Sequence, residues 1–125
     1  MLAFAAVMEI GTGLVLLAVP AIVVTLLLGA EVTGAGQSLG RCFGIALLGL
    51  GLACWPSRQR VESAWPAFRA MLTYNVLIAL YLAYLGTVGH LKGLLLRPGV
   101  ALHAVVALLL ARMWRDERRT RAAHT

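Results

Sequence analysis

The stretch "AAVMEIGTGLVLLAVP", residues 5–20, is apolar almost throughout, yet it carries Glu9. The other polar groups that stand out within apolar runs are Arg41, Asn75 and His103. A carboxyl, an amide and an imidazole can hydrogen-bond one another, and the first and last of these can hold or release a proton. Hydrocarbon makes such groups expensive, so each is a candidate functional residue. A helical rise of ~1.5 Å per residue puts Glu9 about 9 Å inside its run, Asn75 about 15 Å beyond Trp65 and His103 about 16 Å before Trp114. All three then lie in one half, or near the midplane, of a hydrocarbon core ~30 Å thick. A polar cluster of Glu9, Asn75 and His103 is expected, with Tyr74, Tyr81 and Thr12 close enough in depth to join. Arg41 enters from the opposite side, so it is expected to snorkel outward or to meet Glu31.

Three roles are open to Glu9. It is a protonated or hydrogen-bonded structural residue, a partly hydrated group near the interface, or a proton- or cation-handling site. The stretch "AVMEIGT" around it resembles the neighbourhood of the essential first-helix glutamate of the small multidrug resistance transporters, which are short four-helix membrane proteins. The resemblance covers about seven residues, and the third-span stretch "YNVLIALYLAYLG" and the second helix do not continue it. It implies proton-coupled transport of a small molecule, and it carries over to Glu9 alone.

Other chemistries find less support. His90 and His124 do not share the depth of His103, so a pair of haem ligands facing each other is not expected. No second ligand falls at a metal-site spacing with His103. The chain has five acidic residues, and four of them lie outside the apolar runs, so paired carboxylates for acid–base work are absent from the spans. No nucleotide-binding loop, catalytic triad or H-E-x-x-H motif occurs. We expect no enzyme, no cofactor and no metal.

The elements that must position these residues follow from hydropathy. Of the 125 residues, 61% are hydrophobic and 13% charged, and the mean hydropathy is +0.87. A soluble domain carries about 25% charged residues, so lipid must replace water as the main solvent. The net charge of +6 is spread at the ends of apolar runs, where it meets phospholipid headgroups better than nucleic acid. Four runs approach the ~20 residues that a spanning helix needs: about 2–28, 38–55, 65–86 and 98–114. No run alternates strictly, so a β-barrel is disfavoured. The first residues carry no Lys or Arg, and the first run is too long for a signal-peptide core, so a retained helix is expected there. In "HLKGLLLR", residues 90–97, we expect a short interfacial segment followed by a helix that starts at Pro98; a helix from about Leu91 is the alternative.

The short links imply an all-α, integral membrane four-helix up-down bundle over residues 1–115, followed by a charged tail over 116–125. With the N-terminus inside, Arg58, Arg60, Arg69, Arg112, Arg115, Arg118, Arg119 and Arg121 lie on the inner side, against Arg41, Lys92 and Arg97 outside. This satisfies the positive-inside rule, and Trp55, Trp65 and Trp114 fall at the same inner ends. Both termini are therefore expected in the cytoplasm, and the location expected is the inner (plasma) membrane.

Cys42 and Cys54 lie twelve residues apart in one run, which on a helix is ~18 Å and too far for a disulfide. Gly36, Gly40, Gly44 and Gly51 line one face of the second helix and admit close approach by another helix, within one protomer or between copies. Gly86, Gly89 and Gly93 are read as turn positions. The expected function is a structural or accessory membrane protein that packs on other helices. The alternatives are the Glu9-centred transporter and a bundle that binds lipid or another hydrophobic ligand. Expected partners are the bilayer and either a second copy or another membrane subunit.

Overall fold

Pro20 divides the first apolar run. In the computed structural model, which describes residues 1–55 and 65–122, this run forms two helices, α1 (Leu2–Ala18) and α2 (Pro20–Leu28), bent by 113° to each other. The one unbroken helix expected over about residues 2–28 is therefore corrected to two. A proline ring clashes with the carbonyl four residues earlier and offers no N–H, so α1 cannot run through it. Val19 takes up the turn at φ −137°, outside the helical region. Pro20 then stands at the first position of α2, where a missing N–H costs nothing.

Three longer helices follow: α3 (Ala35–Ala53), α4 (Trp65–Thr87) and α5 (Leu96–Ala122). Each is long and apolar enough to cross a membrane, and the bent α1–α2 pair makes a fourth if its two arms count as one span. Among the described residues there are five helices and no strand. Only 22%, 17% and 22% of the residues in the spanning windows of α3, α4 and α5 are buried. The outward faces are apolar, with Leu39, Leu52, Leu77, Leu80 and Leu108 all exposed. Such surface suits lipid or other helices and not water.

The helices associate mainly as two pairs, α1 with α3 and α4 with α5. The first pair is set by glycine. A Cβ built on Gly44 would sit 2.8 Å from the Gly13 carbonyl oxygen and 3.1 Å from Leu16 Cβ. A Cβ on Gly51 would meet Ala6 O at 2.9 Å, and one on Gly40 would meet Pro20 Cβ at 2.9 Å. Gly40, Gly44 and Gly51 thus form one α3 face closed by α1 and the start of α2, inside the protomer. Gly36 stands apart from this face, because its missing side chain makes room for Val32 in the preceding link.

The two pairs meet in a cluster of buried Ala5, Ala6, Cys54, Met71, Val106 and Leu110. Cys54 donates its thiol to Ala67 O across the pairs at 3.3 Å. Both cysteines are free. At the same end, the Trp65 and Trp114 rings meet edge to face with centroids 6.4 Å apart. Arg58 and Arg60, counted above among the inner-side charges, lie outside the described residues.

At the other end the links do more than turn the chain. Gly29 caps α2 in the left-handed conformation, φ +72°, with its N–H on Thr25 O. The Leu95 N–H donates to Leu26 O at 2.7 Å. Gly93 lies so close to the Leu27 backbone that a Cβ there would collide with the Leu27 carbonyl. Gly93 is thus a close-approach position as well as a turn residue. The fourth expected span begins at Leu96, with Pro98 in the first turn, and its helix continues through Asp116 to Ala122.

Candidate functional site

Helical spacing explains why the polar residues turn inward. Ala5, Ala6, Glu9, Gly13 and Leu16 make one buried face of α1. Met71, Asn75 and Leu82 do the same on α4, and His103, Val106, Ala107 and Leu110 share a face of α5 by their three- and four-residue spacing. Each polar side chain therefore rides on a packing face that its apolar neighbours drive inward. Glu9 is 4% exposed and Asn75 1%.

Two hydrogen-bonded pairs result. The Tyr74 hydroxyl is the side-chain partner of the Glu9 carboxyl, which links α4 to α1. His103 Nδ1 and Asn75 Oδ1 are 2.9 Å apart, which links α5 to α4. Asn75 also donates Nδ2–H to Met71 O at 2.9 Å, one turn back on its own helix. Since an amide oxygen only accepts, His103 must donate from Nδ1, and in the neutral ring Nε2 carries the lone pair. The pairs meet through a ring contact: Tyr74 and His103 stand edge to face with centroids 5.8 Å apart and planes at 81°.

Glu9, Tyr74, Asn75 and His103 thus come together, but the partners differ from those expected. The direct bond to Glu9 anticipated from Asn75 or His103 is made by Tyr74, while the amide and the imidazole take each other. Thr12 is exposed. Tyr81 is also exposed and stacks on Tyr84 with centroids 6.5 Å apart, so neither joins the cluster. Arg41 is exposed and makes no ion pair with Glu31 among the described residues. Its Nε–H points to Leu17 O at 3.4 Å, one of the carbonyls that the break at Pro20 leaves without a helical partner. A cation at a helix C-terminus also suits the helix dipole.

The arrangement can fasten helices. A carboxyl–phenol pair ties α1 to α4, and an imidazole–amide pair ties α4 to α5. Among the described residues no three His, Cys, Asp or Glu side chains are grouped to hold a metal ion. Cavities lie elsewhere among the described residues. One of about 360 Å³ borders α2 and the link after it. One of about 650 Å³ lies between the end of α4, the 91–94 link and the start of α5. Glu9 lines neither.

Sequence reading missed Gly13, Arg41 as a cap, and the break at Pro20. The last had a plain signal, a proline in the middle of an apolar run. Comparison of the chain with protein-family models, with curated proteins and with solved structures finds no match.

Proposed function

We propose that this is a small, non-catalytic integral membrane protein, a structural or accessory subunit whose apolar outer faces pack on other helices. In this reading it is a four-span up-down bundle in the inner (plasma) membrane, with the bent α1–α2 pair as the first span and both termini in the cytoplasm. The observation that carries the reading is the use of the intramembrane polar groups: Glu9 and Tyr74, and Asn75 and His103, are paired off across helices. Much of the surface left over is apolar, with large hydrophobic side chains exposed along the helices. A proton-coupled transporter centred on Glu9 is the second reading, favoured by a carboxyl buried within the helices. Reconstitution in sealed vesicles separates the two. We expect no uptake of protons or of a lipophilic cationic dye along an imposed pH gradient, and Glu9→Gln should keep the fold. Gradient-driven uptake that Glu9→Gln abolishes would replace the accessory reading with transport.

A further inference from the structure

The 650 Å³ cavity lies at the end of the α4–α5 pair away from the tryptophans. Leu82, Leu91, Leu96 and Val100 supply apolar wall, and Lys92 and Arg97 stand on its lining as the two charged residues. Both cations are exposed. Neither makes an ion pair among the described residues, and no Asp or Glu lines the cavity. The first turn of α5 contributes Leu96 and Arg97 to the same rim, so the positive end of a helix dipole adds to the two side-chain charges.

The link that lines the cavity reads "KGLLLR", three leucines between two cations. Leu96 is buried, but Leu94 is 77% exposed. A leucine so exposed at the end of two spanning helices fits the boundary between acyl chains and headgroups, with the flanking cations reaching the headgroup layer. Apolar wall beside two uncompensated cations matches one kind of occupant, an amphiphile with an apolar chain and an anionic head.

We propose that this cavity holds an anionic phospholipid of the surrounding bilayer, with an acyl chain against Leu82, Leu91 and Val100 and the phosphate between Lys92 and Arg97. The bilayer supplies that molecule at the depth where the cavity opens. A zwitterionic lipid would bring its own cation to a rim that has no acid to receive it. The proposal does not depend on the partner-binding reading above.

Native mass spectrometry of the full-length protein, released from mixed micelles, tests it. The micelles contain equal amounts of phosphatidylglycerol and phosphatidylcholine with the same acyl chains. The wild type should retain phosphatidylglycerol preferentially. A basic residue near an anionic headgroup contributes about fivefold to affinity, so Lys92→Gln with Arg97→Gln should lower the preference about thirtyfold. Ala101→Phe, which fills the cavity from its own lining, should reduce retention of both lipids. Arg112→Gln with Arg115→Gln, at the opposite end, should change nothing. Millimolar inorganic phosphate should leave the lipid bound. Equal retention of the two lipids by the wild type would overturn the proposal. An equal loss in the Arg112/Arg115 variant would overturn it as general charge attraction, and displacement by inorganic phosphate would overturn it as an anion site with no role for the acyl chain.

Discussion

Among the described residues, the buried Glu9 and Asn75 are each met by a side chain from another helix. Glu9 has Tyr74 and Asn75 has His103. In lipid an unanswered polar group costs several kcal/mol, so these pairs restrict how α1, α4 and α5 can rotate about their own axes. Their net contribution is smaller, because separated helices in a membrane find other partners. Interhelical hydrogen bonds in membrane bundles contribute about 0.6 kcal/mol on average and up to about 1.7 kcal/mol. A double-mutant cycle on Asn75→Leu and His103→Leu, read from unfolding in detergent, should give a coupling within that range. A coupling indistinguishable from zero would remove the pair as a fastening between α4 and α5.

At the scale of elements, the contact between α1 and α3 rests on absent side chains. Gly13 and Gly44 face each other so closely that a Cβ on either would fall 2.7 to 2.8 Å from the other's carbonyl oxygen. Gly49, on the same helix, has nothing within 4 Å of its Cβ position. The two positions therefore make a matched test. Gly44→Ala should destabilise by about 1–3 kcal/mol, because the helices must part to admit a methyl group. Gly49→Ala should be neutral or stabilising by up to about 1 kcal/mol, the ordinary helix-propensity gain. Thermal unfolding of both variants checks the pair, and an equal response at the two sites would contradict the packing. The break between α1 and α2 belongs to this scale too. Pro20 causes it, Arg41 caps the carbonyl it exposes, and Gly29 and Gly93 let the end of α2 lie against the link before α5.

At the scale of the molecule, the two helix pairs meet in a buried cluster at one end, and the α4–α5 pair carries a cavity at its other end. The clustered end holds Met71 and Leu110 fully buried, the thiol bond from Cys54 and the Trp65–Trp114 contact. Eight of the eleven basic residues are assigned to the side of that end by the four-span reading. The orientation this predicts has a direct check. In a variant lacking Cys42 and Cys54, a cysteine introduced by Thr125→Cys should be inaccessible to an impermeant maleimide in intact cells and should label after the cells are opened. Labelling in intact cells would invert the orientation.

Hydropathy and the helical rise made the outline legible. Apolar runs of this length can satisfy their backbones in lipid only as helices, and depth along a helix scales with residue number, so Glu9, Tyr74, Asn75 and His103 could be grouped before any coordinates. Glycine at four-residue spacing marked α3 as a close-packing helix for the same reason, since helical period converts spacing into a face. Who meets whom was not legible. Partner choice depends on the rotation and offset of each helix, and those come from the simultaneous packing of all of them. Tyr74 rather than Asn75 or His103 answers Glu9 because of where α4 sits against α1. Gly44 meets Gly13 because two glycines on different helices fall at one height. Pro20 was in plain view, but whether it kinks a span or folds it back by 113° depends on what receives the second arm. That receiver is Gly40 on α3, which lies against Pro20, together with the Gly93 link, both distant in sequence, so only the tertiary structure could decide it.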